Sequence, residues 1–316
     1  MNKIAFVFPG QGSQKVGMGQ DVAAEYKEAK AVYKAADAKL GYAITEVIEK
    51  GPMELLTKSE NAQPALVSTS VAILKALETY GVKADFVAGH SLGEYSALVA
   101  GGFLSAEDAI YLVHRRGKLM EAAVPNGQGA MAAVLGLDRE ALSAITEAVT
   151  AEGDDVQLAN LNCPGQIVIS GTIAGVEKAG EQAKVAGAKR VLPLAVSGPF
   201  HSKLMVPAAE QFQSELDKVA FQDGAIPVVN NVDAQPTTDK NVIPEKLVQQ
   251  IYSPVLWEDI VMNLIAQGVD TFVEIGSGKV LSGLIKKINR DVTILAAGDV
   301  SSVKEVAAQL KGAPTK

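Results

Sequence analysis

The sequence predicts an α/β protein: a parallel sheet with helices on both faces, plus an inserted ferredoxin-like α+β unit. Three observations predict it. Short apolar runs of strand length alternate with longer runs of helical period, the signature of strands joined by helical crossovers. One junction carries Gly89-His90-Ser91-Leu92-Gly93 between a strand-like and a helix-like run. Midway, the rhythm changes to β-α-β-β-α-β, the order of the ferredoxin-like unit.

In chain order, "KIAFVFPGQGSQ" opens with a buried strand over residues 3–8 that breaks into a Pro-Gly loop. "AQPALVSTSVAILKALETYG" has a period near 3.6 and reads as a helix ending at Gly81. "ADFVAG" is the strand before Ser91, and "LGEYSALVA" the helix after it. "LSAEDAIYLVHRRGKLMEAA" is a helix whose Ser105-x-x-Asp108 start resembles a capping box. After "VPNGQG", "AMAAVLGL" is a strand and "DREALSAITEAVTAEG" a helix. "VQLANLN" and "QIVISGT" are strands joined at Cys163-Pro164-Gly165. "IAGVEKAGEQAKVAGA" is a helix and "KRVLPLAV" a strand, which closes the insert. The reading is a core of residues 1–125 and 198–316 with a subdomain of residues 126–197. "IPVVNNVDA" is then a strand region, "IPEKLVQQIYSPVLWEDIVMNLIAQG" is helical with a break near Ser253-Pro254, and "DTFVEIGSGKVLSGLIKKI" is a strand, a glycine turn and a helix.

The 316 residues are 48% apolar and 21% charged, which suits a chain with a large buried core. A net charge of −7 argues against general binding to nucleic acid or anionic membranes. Cys163 is the sole cysteine, so no intramolecular disulfide forms and a reducing compartment fits. The N-terminal apolar stretch is too short for a signal peptide, and no run approaches the ~18 apolar residues of a membrane span. A cytoplasmic protein is expected. No metal-ligand or cofactor fingerprint stands out. The Gly10-x-Gly12 loop lacks the third glycine of a dinucleotide site, and "GSGKV" lacks the rest of a P-loop.

The G-x-S-x-G arrangement is the pattern of a nucleophile elbow. A strand that turns into a helix within a residue or two forces a strained backbone at the corner, and its neighbours must lack side chains. A helix N-cap serine is the plainer alternative. A serine nucleophile needs a base, and there are three histidines. His90 belongs to the elbow and should point away, and His114 lies inside a helix. His201, in the Gly-Pro loop "SGPFHSKL", is the favoured base. No acid between Ser91 and His201 is marked as a triad partner: Asp138, Asp154 and Asp155 all fall in the insert. A main-chain carbonyl could hold the imidazole tautomer instead. The Leu92 amide comes with the elbow as one oxyanion donor, and Gln11 in the glycine-rich loop offers a second. An inward-facing Arg115 or Arg116 would supply a two-pronged carboxylate site.

The combination resembles the malonyl-CoA:acyl carrier protein transacylases. The resemblance rests on "FPGQGSQ", "AQPAL", "GHSLGEYSAL", "RRGKLM", "NCPGQIVISG", "PFHSKLM", "QQIYSPVLW" and "EIGSGKVLSGL", in order along nearly the whole chain. It implies an α/β-hydrolase-like core with a ferredoxin-like insert. It implies that Ser91 is acylated, that His201 is base and then acid, and that the Gln11 and Leu92 amides hold the oxyanion. The main-chain carbonyl near Gln250 would orient His201, Arg116 would pair with the malonyl carboxylate, and bulky Phe200 would favour a small acyl group. The implied reaction is ping-pong transfer of malonyl from malonyl-CoA to the pantetheine thiol of acyl carrier protein, supplying extender units for fatty-acid synthesis. No cofactor or metal is implied, and a monomer is expected. Carrier proteins are generally acidic, so a local basic face is needed, and Lys279, Lys286, Lys287 and Arg290 are the densest candidates. A serine esterase or thioesterase would share Ser91 and His201.

Overall fold

The computed structural model describes residues 3–125 and 127–311. Asn126, where the insert was expected to begin, lies outside the described residues, as do residues 1–2 and 312–316 of the expected core. The chain opens with β1 (Lys3–Phe8). Four helices that the sequence reading passed over follow: α1 (Gln20–Glu25), α2 (Lys27–Leu40), α3 (Ile44–Lys50) and α4 (Met53–Thr57). Next come α5 (Ser59–Glu78), β2 (Phe86–Gly89), α6 (Gly93–Gly101) and α7 (Ala106–Ala122). The expected β-α-β-β-α-β order is β3 (Gly129–Leu135), α8 (Arg139–Ala151), β4 (Val156–Cys163), β5 (Gln166–Thr172), α9 (Ile173–Val185) and β6 (Arg190–Pro193). The chain continues through α10 (Val206–Leu216), β7 (Val228–Val229), β8 (Pro236–Thr237), α11 (Ile243–Tyr252), α12 (Trp257–Ala266), β9 (Val269–Ile275), α13 (Val280–Ile288), β10 (Thr293–Ala297) and α14 (Val300–Lys311).

The main sheet has the order β10-β9-β1-β2-β7-β8, parallel except at β7–β8. Its strands are apolar on both faces because helices cover both. Phe6 and Phe8 of β1 join the core under α5 and α7, while Ala5 and Val7 face the core of α12 and α13. This period of two is what a doubly covered strand requires. The second sheet has the antiparallel order β4-β5-β3-β6, with α8 and α9 packed on it over a separate core.

Two strands stop well short of the expected segments. Only Val228–Val229 of "IPVVNNVDA" pairs, because the chain turns back at Asn230, whose N–H donates to Gln235 O, and Ala234 takes a left-handed φ of 54°. The last strand of the insert stops at Pro193, which has no N–H for a ladder and sits on an edge strand. The capping box at Ser105 is half formed: its hydroxyl accepts from Asp108 N, but the Asp108 carboxylate takes Lys39 at 2.9 Å instead.

The two sheets are tied at Val255, whose N–H donates to Ala159 O and whose carbonyl accepts from Leu161 N. These bonds cover the free edge of β4, which would otherwise present open backbone groups. At the other contact, α5 crosses α7 at Gly117, where a Cβ would collide with the Ser59 carbonyl. Pro64 inside α5 has no N–H, so the Glu60 carbonyl loses its helical partner. His114 Nδ1 on α7 bonds to that carbonyl at 2.8 Å. These contacts fix the rotation of α7, and with it the direction of Arg116.

The elbow glycines are spatial requirements as much as conformational ones. A Cβ on Gly93 would collide with Phe8 O, and one on Gly89 with the Gly93 backbone. Gly93→Ala must therefore push α6 away from β1. Overpacking of this kind costs ~1–3 kcal/mol. Urea unfolding should show a loss in that range, and unchanged stability would mean that α6 has slack.

Candidate active site

Ser91 sits where β2 meets α6, with φ of 52°, a left-handed conformation for a residue that is not glycine. Buried Asn231 holds it there. Its Oδ1 accepts from Ser91 N at 2.7 Å and its Nδ2 donates to Gly89 O at 2.6 Å, so one side chain spans the corner. His90 does point away, as expected. It bonds Asn162 Oδ1 at 2.8 Å and packs its ring near Trp257.

The structure brings His201 to Ser91. Ser91 Oγ lies 2.8 Å from His201 Nε2, and His201 Nδ1 lies 2.8 Å from the main-chain carbonyl of Gln250. The carbonyl can only accept, so Nδ1 carries the proton and Nε2 is free to accept from the serine hydroxyl. His201 also has a left-handed φ, 57°, which nothing in the sequence signalled. Its loop is fastened by Ser202 Oγ donating to Pro199 O, and by Gln157 of β4, whose Nε2 donates to His201 O at 3.1 Å. Burial, and then the nearby Arg116 charge, lower the His201 pKa to about 3.

Of the two adjacent arginines, Arg115 faces outward and pairs with Glu215 at 3.0 Å, while Arg116 is 1% exposed. The Arg116 guanidinium donates to Gln63 Oε1 at 2.8 Å, to Gln250 Oε1 at 2.9 Å and to Ser91 Oγ at 2.9 Å. None of these is a carboxylate, and Arg116 Nε has no partner. Tyr95 lies under the guanidinium, 5.8 Å from its ring centroid. Behind Gln250 sits buried Glu94, whose carboxylate accepts from Gln250 Nε2 at 2.6 Å. Burial raises Glu94 to about 7, against the pull of those hydrogen bonds and of Arg116.

The groups open into a cavity of ≈ 180 Å³ whose lining includes Gln11, Gln63, Ser91, Arg116, Phe200 and His201. Gly10 presses against His90 O, where a Cβ would come within 2.7 Å, so the "PGQGSQ" loop lies directly beside the elbow. The amides of Gln11 and Leu92 donate to no protein group among the described residues. Phe200 is buried at 7% exposure. Lys279, Lys286 and Arg290 are exposed, and Lys287 donates to Gln166 Oε1 at 3.2 Å. None of these four lines the cavity. No cluster suited to a metal ion occurs among the described residues.

Sequence reasoning named Ser91, His201, Arg116 and the Gln250 carbonyl, and these meet. It missed Gln63, Glu94, Asn231 and the carboxamide of Gln250. Gln63 belongs to the "AQPAL" segment and Glu94 adjoins the elbow, but a polar residue in an apolar run was the only available signal.

An imidazole this buried should stay neutral well below the usual imidazole range. In isotope-labelled protein, the His201 ring signals, assigned by their loss in His201→Ala, should not titrate between about pH 8 and about pH 5. A midpoint near the ordinary value would contradict the burial. The unfolded chain binds a proton that folded His201 refuses, so this group's contribution to stability is full above about pH 6.5 and declines as pH falls toward its folded value.

The family model for the acyl transferase domain matches residues 5–309. A malonyl CoA-acyl carrier protein transacylase of Bacillus subtilis (strain 168) is 54% identical over 311 residues, covering 98% of each chain. The solved malonyl CoA-acyl carrier protein transacylase of Coxiella burnetii superposes with a TM-score of 0.95 at 38% identity, covering 98% of each chain. A type II polyketide-synthase acyl-carrier protein in complex with its malonyl-transacylase includes a chain with TM-score 0.94 and 44% identity, covering 98% of this chain and 100% of that one. With an elbow serine, a carbonyl-held histidine and an unpaired buried arginine at one cavity, and these relatives along its length, the chain belongs to the acyl transferase domain family.

Proposed function

We propose that this enzyme transfers the malonyl group of malonyl-CoA to the phosphopantetheine thiol of acyl carrier protein through a malonyl-serine intermediate. The observation that carries the reading is a buried guanidinium with only neutral protein acceptors, 2.9 Å from the nucleophile. An esterase for neutral esters has no use for it. A substrate whose acyl chain ends in a carboxylate supplies the missing anion.

In the first half-reaction Ser91 Oγ attacks the thioester carbon and its proton passes to His201 Nε2. The amides of Gln11 and Leu92 receive the oxyanion. Collapse breaks the C–S bond, and the CoA sulfur leaves with the proton from His201. In the second, the carrier-protein thiol gives its proton to His201 and attacks the malonyl-serine; the C–O bond breaks, and the Ser91 oxygen leaves with the proton from His201. Covalent catalysis divides one acyl transfer into two easier steps. The carbonyl of Gln250 keeps Nδ1 protonated throughout, which does the orienting work of an acid. Phe200 limits the room beside the acyl chain.

We further propose that residues 1–125 and 198–316 form the catalytic core and residues 126–197 a subdomain. The protein works as a cytoplasmic monomer; no helix among the described residues is long and apolar enough to cross a membrane. Lys279, Lys286, Lys287 and Arg290 form the face that meets the acidic carrier protein, serving fatty-acid synthesis.

Intact mass after mixing with malonyl-CoA should show one malonyl adduct, absent in Ser91→Ala. An adduct surviving that substitution would place the nucleophile elsewhere. Arg116→Ala should shift the malonyl-to-acetyl preference by roughly one to three powers of ten, since a charge-assisted hydrogen bond is worth ~1.5–3 kcal/mol. Equal losses for both substrates would make Arg116 structural.

The carrier-protein face is tested separately. Docking charges act mainly on association rate and its salt dependence. Lys286→Glu with Lys287→Glu should raise the apparent KM for carrier protein, leave acylation by malonyl-CoA nearly intact, and weaken in effect as salt is added. A fall in both half-reactions, or in neither, would move the dock elsewhere.

A further inference from the structure

The mechanism above leaves one buried acid without a task. Among the described residues, buried Glu215 is met by Arg115 and Lys218, and buried Glu274 collects Leu281 N, Ser282 N and Ser282 Oγ at the start of α13. Glu94, 1% exposed, meets no cation. Its Oε2 accepts from Gln250 Nε2 at 2.6 Å and from Asn231 N at 3.3 Å, both neutral donors. Arg116 is its mirror image: 1% exposed, cationic, and in contact with neutral acceptors. A single carboxamide separates the two charges. Gln250 Oε1 faces the guanidinium and Gln250 Nε2 faces the carboxylate.

That arrangement has a polarity. If the carboxamide turned over, it would set an NH2 against the guanidinium and an oxygen against the carboxylate. Glu94 therefore selects the orientation that Arg116 needs. Gln250 Nε2 also donates to Ser91 O at 3.0 Å, so the same carboxamide touches the elbow. A direct Glu–Arg bridge would satisfy both buried charges, but it would fill the guanidinium edge that a substrate carboxylate must take. Separation by one amide keeps the charges near each other and leaves that edge open.

We infer that Glu94 is the countercharge of Arg116 and a positioning residue for the acyl-carboxylate site, acting through the Gln250 carboxamide so that the guanidinium is balanced without being occupied. This rests on the malonyl reading of the site. It adds that the preference for a carboxylated acyl group depends on a residue that never touches it.

The experiment measures second-order rate constants for acylation of Ser91 by malonyl-CoA and by acetyl-CoA at about pH 8.5, where Glu94 is ionised, and takes their ratio. In Glu94→Gln the ratio should fall about tenfold from wild type, because the carboxylate that holds the Gln250 NH2 is gone, the orientation is left to Arg116 and Ser91 O alone, and Arg116 loses its balance. A second variant exchanges the two groups, Glu94→Gln with Gln250→Glu. It keeps the buried charge count and the amide–carboxylate contact, but puts the carboxylate directly on the guanidinium. Its ratio should fall about a hundredfold, as the built-in carboxylate competes with the substrate's. A ratio within about twofold of wild type in either folded variant overturns the inference alone. If Glu94→Gln does not fold, the exchanged pair decides. Loss of folding in both also overturns the inference, since Glu94 would then serve only the fold. Failure of the wild type to take malonyl onto Ser91 would overturn the malonyl reading, and this inference with it.

Discussion

The buried charge of Arg116 is the constraint around which the site is arranged. A cation out of water is costly unless paired or surrounded by acceptors. Here Gln63 from α5, Gln250 from α11 and Ser91 from the elbow each supply one oxygen. Bringing three separated segments to one guanidinium demands that α7 be held at a fixed rotation. The Gly117–Ser59 approach and the His114–Glu60 bond do this. Pro64 makes the second contact available by leaving the Glu60 carbonyl free, so a residue that ordinarily disrupts a helix becomes a docking point between helices.

The elbow presents a different problem, one of strain. A left-handed serine costs of order 1–3 kcal/mol and persists only when its surroundings over-determine it. Phe8 O receives His90 N at 3.0 Å, Asn231 grips both sides of the corner, and the absent Cβ atoms of Gly89 and Gly93 let α6 start against β1. His201 is strained in the same sense and is also held on both sides, by Gln250 and by Gln157 of the smaller sheet. Each half of the Ser91–His201 pair thus carries its own strain and has its own clamp. The contact of Gln157 with the His201 loop gives the α+β unit a reason to sit where it does.

What could be read from the sequence follows from where each signal lies along the chain. The elbow is local: two glycines, a serine and their flanking runs sit within a dozen residues. The β-α-β-β-α-β order is likewise a rhythm of consecutive segments. Of the helices between residues 20 and 57, α1, α3 and α4 span only 6, 7 and 5 residues, too few turns for a period to emerge. α2 does bury Ala29, Val32, Tyr33 and Ala36 at helical spacing, but three of its four buried positions are small or β-branched among many charges. Glu94, Asn231 and the Gln250 carboxamide were invisible for another reason. Their meaning lies in contacts across 19 to 159 positions, and a lone polar residue in an apolar run does not announce its partner. The left-handed φ of His201 belongs to the same class, since Phe200 and Ser202 on either side give no hint of it.

On the proposed reading, carboxylate recognition and nucleophile activation are one event. Burial lowers the basicity of His201 most and persists, and the charge of Arg116, the next largest cause, is one that a bound malonyl carboxylate offsets. The same pairing acts on Ser91. Before substrate binds, an Arg116 amino group donates to Ser91 Oγ at 2.9 Å and occupies electron density that attack requires. A carboxylate competes for that donor and draws it away from the serine. The base therefore strengthens and the nucleophile is released when the correct acyl chain is seated. Water and acetyl groups bring no anion to Arg116, so neither effect operates for them. A serine next to a buried arginine, which first looks like a nucleophile hindered by its neighbour, is then a nucleophile restrained until the substrate supplies the missing charge.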